Sequence, residues 1–279
     1  MTAYIDLHTH STASDGSMRP SELVRYAKEK GLSCIAITDH DTLDGVDEAL
    51  REASKTNIEL IPGVEIGVDF KPEMHILGYF STSSYTRIIP VLSRLRMLRE
   101  QRNPKIVDKL NEMGFKISME DVRAKAGGKV IGRPHIAKAL LEKGYVRTTQ
   151  EAFEKYLACG KPAYFRKDML SPEEGIKEIK NAGGVPVLAH PVHLMKTVKD
   201  IDALLAELKG YGLSGIEAHY TDNTSYDTGI LLRLAIKYGF IATGGSDFHG
   251  SFKEDIDIGV GRGNLKIEYR VLEELKKLF

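Results

Sequence analysis

Short apolar runs alternate along the chain with segments of helical period, the signature of a β/α-repeat fold built on a parallel sheet or barrel. Runs at 4–7, 34–38, 59–66, 75–79, 186–189, 215–218 and 241–243 read as seven strands. Between the first two lies a helix with Leu23, Val24 and Ala27 on one face; Ser17 or Ser21 can cap it, Pro20 suits its first turn and Gly31 ends it. A second such unit opens at Ser171-Pro172-Glu173-Glu174, with acids at the positive end of the helix dipole, and closes at Gly183-Gly184. The fourth and fifth strands are separated by roughly a hundred residues that read helical at 90–113, 119–125, 135–143 and 149–159. The expected architecture is α/β, with barrel segments at 1–80 and 169–279 and a helical, substrate-binding insertion at 81–168. Such an insertion belongs on the functional face, because barrel active sites are built from the loops after the strands.

Composition narrows the class. The 279 residues suit one large domain with an insertion, and 42% hydrophobic with 28% charged residues is ordinary for a soluble enzyme. Acidic and basic side chains balance at 39 each, so any attraction for phosphate or nucleic acid must be local. Two distant cysteines, Cys34 and Cys159, argue against a disulfide framework and for a reducing compartment. No leader-like start or long apolar stretch is visible, and the expectation is a cytoplasmic protein with no membrane association and no obligate protein partner.

Six of the nine histidines fall in short motifs at predicted strand ends: DLHTHS (6–11), ITDHD (37–41), MHILGYF (74–80), LAHP (188–191) and GSDFHG (245–250), with GVE (63–65) supplying a further carboxylate. Imidazole with carboxylate and no cysteine is the ligand chemistry of Zn, Mn or Fe bound for hydrolysis. Asp6, His8 and His10 share parity on an extended strand, which points their side chains the same way. Each motif alone has an ordinary reading, since isolated histidines and acids are usually surface or core residues. Their joint placement does not, because burying so many unpaired ionisable groups costs several kcal/mol each, on the order of magnitude for lone polar groups.

Through His8-x-His10, Asp39-His40, the central His190 and Asp247-x-His249, the chain resembles the PHP (polymerase and histidinol phosphatase) phosphoesterases over essentially its whole length. The resemblance implies a distorted (βα)7 barrel with three divalent metal ions at the C-terminal ends of its strands. Manganese is the first expectation, iron or zinc the alternatives. Carried over, the ligands are His8, His10 and Asp247 on one ion, His75 and His190 on a second, Glu65 bridging these two, and Asp15, His40 and His249 on the third. Asp15-Gly16 by itself reads only as a turn.

A trinuclear site also fits phosphate chemistry. Three divalent ions set against three carboxylates and a bridging hydroxide leave a charge of about +2, matched to a phosphate monoester dianion, with the hydroxide as nucleophile. In the insertion, Gly132-Arg133-Pro134-His135 opens a predicted helix: Arg133 can grip a phosphate with paired hydrogen bonds, and His135 can donate to a phosphate or a leaving group. The plainer reading is a surface arginine and a helix-start histidine. Resemblance to the branch of the family that acts on 3′,5′-bisphosphonucleotides favours phosphate contact, with Asp15 also close to substrate. That branch implies removal of the 3′-phosphate of pAp-like substrates and 5′-to-3′ trimming of short RNA. Histidinol-phosphate hydrolysis and a non-catalytic metal-stabilised module are the alternatives. His193 can line the pocket and, with His135, is a candidate proton donor. Glu217 and His219 either support the ligands or pack at the barrel rim. The basic run Arg87–Lys109 is either a solvated helix face or an electrostatic path for nucleotide.

Overall fold

The computed structural model describes residues 3–128, 130–165, 169–195 and 197–279, so the expected insertion boundary at Asp168 lies outside the described residues. The strands are β1 (Tyr4–Thr9), β2 (Cys34–Ile37), β3 (Glu59–Val68), β4 (Met74–Tyr79), β5 (Val185–Leu188), β6 (Gly215–Tyr220), β7 (Ile241–Gly245) and β8 (Ile267–Glu268). They form one sheet in the order β7-β6-β5-β4-β3-β2-β1-β8. All seven expected strands are present, and the two-residue β8, too short for any periodicity, is the eighth. The sheet is also not wholly parallel. β4 runs antiparallel to both β3 and β5, because only the short 69–73 connection separates it from β3. β8 is antiparallel to the start of β1.

The sheet curls into a nearly closed barrel. Asp247 N–H donates to the His8 carbonyl and His10 N–H to the Phe248 carbonyl, each at 2.9 Å, which stitches the end of β7 to β1. Glycine permits this approach: a Cβ on Gly245 would lie 2.2 Å from the His8 Cβ. Ile5, Leu7, Cys34, Ala36, Leu77, Tyr79 and Val187 pack together as one buried cluster, while Ile35, Ile37 and Leu60 pack with the helical residues Leu23, Val24 and Ala27. This is the period-two division expected of strands buried on both faces.

The outer helices are α1 (Pro20–Glu29) and α2 (Val46–Thr56) before the insertion, and α7 (Pro172–Asn181), α8 (Val198–Tyr211), α9 (Ser225–Tyr238) and α10 (Arg270–Lys276) after it. Pro20 and Gly31 frame α1 as expected, but neither serine caps it: Arg19 occupies the cap position, Ser21 Oγ donates to Glu48 and Ser17 Oγ accepts from Ser251 N–H. Ser171 does cap α7, accepting from Glu174 N–H. Between β4 and α7 stand α3 (Ile89–Glu112), α4 (Met119–Arg123), α5 (Arg133–Glu142) and α6 (Thr149–Ala152), the last continuing through 157 as a π-type turn. Ile106, Leu110, Val122, Ile136, Leu140 and Leu157 are buried against one another there, apart from the barrel clusters. No helix of the described residues is long and apolar enough to cross a membrane.

Two bulges decide which side chains reach the barrel mouth. Along β1, Asp6 pairs with Ile35 but Thr9 with Ile37, so three residues advance against two. The expected common direction of Asp6, His8 and His10 is thereby broken. Asp6 instead accepts from Ser246 N–H, Ser246 Oγ, Gly259 N–H and His8 N–H, bracketing the closure of the barrel. Along β6, Glu217 pairs with Thr243 and His219 with Gly244, which sends these two side chains to different places.

Candidate metal centre

The nine residues expected as ligands converge at the C-terminal mouth of the barrel. His8 Nε2 lies 3.1 Å from His10 Nε2, 3.4 Å from Glu65 Oε2 and 3.5 Å from Asp247 Oδ1; His10 Nε2 lies 3.2 Å from each of those oxygens. Glu65 Oε1 meets His75 Nδ1 at 2.8 Å and His190 Nε2 at 2.9 Å. Asp15 is 3.4 Å from His249 Nε2 and 3.7 Å from both His10 Nδ1 and His40 Nε2. Glu65 therefore stands between two groups of imidazoles, and Asp15 gathers a third.

These residues fit metal ions. Ligand atoms held at ~2.0–2.2 Å from one cation sit a little over 3 Å from one another, the spacing seen around His8 and His10. Among the described residues, His10 Nδ1, His40 Nδ1 and Glu65 Oε2 are buried without a hydrogen-bond partner, a cost that a cation bound by these side chains would relieve. The protonation pattern agrees with strong negative potential. Burial opposes the charge on His10, yet the carboxylates of Asp247 and Glu65 outweigh it and hold its pKa up at about 9. His75 is likewise raised against burial to about 10, chiefly by Glu65. Burial prevails at His40, pulling it down to about 3. The imidazoles around Glu65, and those around Asp15, keep both carboxylates ionised well below the usual range despite burial.

Local devices aim several of these side chains. Glu217, fully buried, accepts from His8 Nδ1 at 2.9 Å and from His190 N–H at 2.8 Å, so His8 presents Nε2 to the cluster. His190 and Asp247 take left-handed backbone angles, φ 30° and 56°, strain of the kind concentrated at functional sites. Asp15 rides on a turn tightened by Gly16, where a Cβ would meet the His10 carbonyl oxygen at 2.2 Å. That turn is anchored by buried Asp39, which accepts from Ser11 N–H, Ser11 Oγ and Ser14 Oγ. Asp247 Oδ2 is held by Lys253 Nζ at 2.6 Å and Tyr220 Oη at 3.0 Å. Sequence reasoning passed over Lys253 and Tyr220; Lys253, four residues beyond His249, was the one local hint.

The insertion brings basic groups to the centre. A cavity of about 320 Å³ opens from Asp15, His40, His75 and His190 toward Arg99, Arg133, Pro134 and His135. Arg133 donates to Glu73 Oε2 at 2.5 Å and to the Leu157 carbonyl at 3.3 Å, with its guanidinium over the Tyr164 ring. Arg99 pairs with Asp41 at 2.7 Å. Arg102 is buried, and burial with the nearby charges of Arg99 and Arg133 lowers it to about 9. The basic run is thus divided: Arg99 and Arg102 of α3 turn inward, while Arg87, just before α3, and Arg94 and Lys105 on it face solvent. His135 is 2% exposed, its Nδ1 accepts from Gly132 N–H at 3.0 Å, and burial lowers its pKa to about 4, so it serves first as a wall and helix cap. His193 is half-exposed, with Nε2 3.3 Å from Tyr220 Oη and 3.4 Å from Asp222. His219 lines a separate surface cavity beside Arg270, away from the cluster.

A near-closed α/β barrel with a histidine–carboxylate cluster at its mouth defines a metal-dependent hydrolase. A family profile for the PHP domain matches residues 6–165, and the chain belongs to that family. It is 36% identical over 250 residues to a 5′-3′ exoribonuclease of Haemophilus influenzae, covering 89% of this chain and 91% of that one. It is 30% identical over 259 residues to a 3′,5′-nucleoside bisphosphate phosphatase of Chromobacterium violaceum, covering 92% and 91%. A Bifidobacterium adolescentis structure, described provisionally as a metal-dependent phosphoesterase, superposes with a TM-score of 0.86 at 30% identity over 99% of this chain and 96% of its own. The protein is a hydrolase of phosphoric esters that depends on metal.

Proposed function

We propose that the enzyme removes the 3′-phosphate of 3′,5′-bisphosphonucleotides such as pAp and trims short 5′-phosphorylated RNA from its 5′ end. The observation that carries this reading is that the candidate ligand cluster opens directly into the arginine-lined cavity, which supports a place for a second phosphate beside the reacting one. The names of the two relatives, a bisphosphate phosphatase and a 5′-3′ exoribonuclease, support it. Histidinol phosphate, with a single phosphate, leaves that cavity unused.

Three divalent ions, manganese first among them, would be held by His8, His10 and Asp247, by His75 and His190, and by Asp15, His40 and His249, with Glu65 between the first two sets. When bound they supply an activated water near neutral pH and neutralise the phosphoryl oxygens. Residues 81–168 act as the substrate-binding unit and the flanking segments 1–80 and 169–279 as the barrel. Arg133 grips the 5′-phosphate and so sets which phosphorus lies over the cluster. Pro134 and Asp15 border that path. Since His135 caps its own helix, the proton for the leaving O3′ comes from His193, which faces the cavity beside Tyr220. Both cysteines are free, Cys34 buried and Cys159 exposed, in keeping with a cytoplasmic setting.

The test is phosphate release from pAp, AMP and histidinol phosphate by manganese-loaded protein beside an EDTA-treated control. Rapid, metal-dependent release from pAp alone is expected. Preference for histidinol phosphate would overturn the substrate reading.

A further inference from the structure

A second cavity meets the ligand cluster from another side. It has a volume of about 830 Å³, more than twice that of the arginine-lined one, and shares with it Asp15, His40, His75 and His190. It then runs outward between the insertion and the loop after β7, past Lys138, Leu141, Arg147 and Phe252. A bisphosphonucleotide already has both of its phosphates placed, one at the cluster and one at Arg133. The wider groove is left over.

Its walls carry two kinds of group in an unusual state. Lys138, on α5, makes no ion pair with a carboxylate among the described residues; its Nζ sits 2.8 Å from the centroid of the Phe252 ring, and burial lowers its pKa to about 8. The ring attracts the ammonium but does not neutralise it, and a partly buried cation without a carboxylate partner is stabilised further by an anion. The other basic group deep in the groove, Lys253, is already taken by Asp247. Phe252, 44% exposed, and Leu141, 37% exposed, leave apolar surface open beside the lysine. Cation and aromatic face together are what single-stranded nucleic acid requires, one for the backbone and one for a base.

We propose that this groove binds the nucleotide that follows the cleaved phosphate in an RNA substrate, with Lys138 on the next backbone phosphate and the base against Phe252. The inference rests on the proposed function, which fixes the direction of the chain. In the reaction, water oxygen forms the new bond to phosphorus, the P–O3′ bond breaks, and O3′ leaves with a proton as part of the first nucleotide. The downstream nucleotide keeps the phosphate as its own 5′-monophosphate. That product carries the group Arg133 recognises, so it enters the next cycle without further chemistry.

The experiment compares kcat/KM for the first cleavage of the 5′-phosphorylated trinucleotide pApApA with kcat/KM for pAp, in the wild type and in the separate variants Lys138→Met and Phe252→Ala. The trinucleotide-to-pAp ratio is expected to fall roughly tenfold in each, the scale of one lost stacking or phosphate contact, with the change in KM. A ratio within about twofold of wild type in both variants would overturn the groove assignment while leaving the proposed function intact. Wild-type protein that cleaves neither substrate would overturn both.

Discussion

Replacing Arg133 with alanine separates recognition of the second phosphate from chemistry at the cluster. Arg133 is held in place by Glu73, the Leu157 carbonyl and the Tyr164 ring, and its charge faces the small cavity. A charge-assisted hydrogen bond to phosphate is worth about 1.5–3 kcal/mol. The variant also strips Glu73 of this partner, and a carboxylate some ~5–6 Å from an incoming phosphate repels it by about 3 kcal/mol at an effective dielectric of ~20. Part of that is relieved by water and rearrangement, so the net loss is about 3–4 kcal/mol, on the order of 100- to 1000-fold in kcat/KM for pAp. p-Nitrophenyl phosphate has no second phosphate and should lose little. The double variant Arg133→Ala/Glu73→Gln removes the repulsion and should regain at least about tenfold on pAp. Both substrates are assayed at matched metal loading, with metal content checked because Glu73 lies 3.8 Å from His75. Equal losses on the two substrates, or a double variant no better than the single one, would refute the reasoning.

Four other outcomes are expected. Asp15→Asn should lower the bound-metal count by one with an unchanged circular dichroism spectrum; an undiminished count by elemental analysis contradicts its ligand role. Glu217→Ala should weaken metal binding by about 10- to 100-fold, because His8 Nδ1 and His190 N–H both lose their acceptor; calorimetric titration reads this directly. Gly245→Ala should lower stability by about 1–3 kcal/mol, since the new methyl collides with His8; a thermal midpoint equal to wild type would disprove the close packing. Metal uptake should release protons and tighten as pH rises toward about 9: with His10 raised to about 9 and His75 to about 10, both imidazoles are protonated at neutrality and must lose that proton to bind. Calorimetry in buffers of different ionisation enthalpy that detects no proton transfer would sink this one.

What was legible in the sequence was local. Strand cores announced themselves because strands buried on both faces are continuous apolar runs, and Ser171 with its following acids marked a helix start that the structure keeps. His8, His10, His190 and the Asp247/His249 pair stood out together, because so many ionisable residues at strand ends would be costly to bury without a common partner. Asp15 did not: only family resemblance points to it, since its approach to His40 and His249 depends on a turn anchored by Asp39, with Gly16 passing under His10. The even spacing of Asp6, His8 and His10 misled, because a bulge in β1 is invisible in the residue pattern. The same holds for Glu217 and His219, one inward on His8 and the other outside, divided by a bulge in β6.

The sequence by itself determined the α/β class, the strand cores, the presence of helices between β4 and β5 and the chemistry of the candidate ligands, all of which follow from residue type and period. Tertiary structure alone decided that β4 runs antiparallel and that a two-residue eighth strand flanks β1. It also decided that Arg133 meets Glu73 and that Lys138 lies over Phe252. Residue type and period specify what a segment can bury or bind within a few residues of itself. Which groups meet across 60 or more residues is settled by register, bulges and closure of the barrel, and the site is made of such meetings.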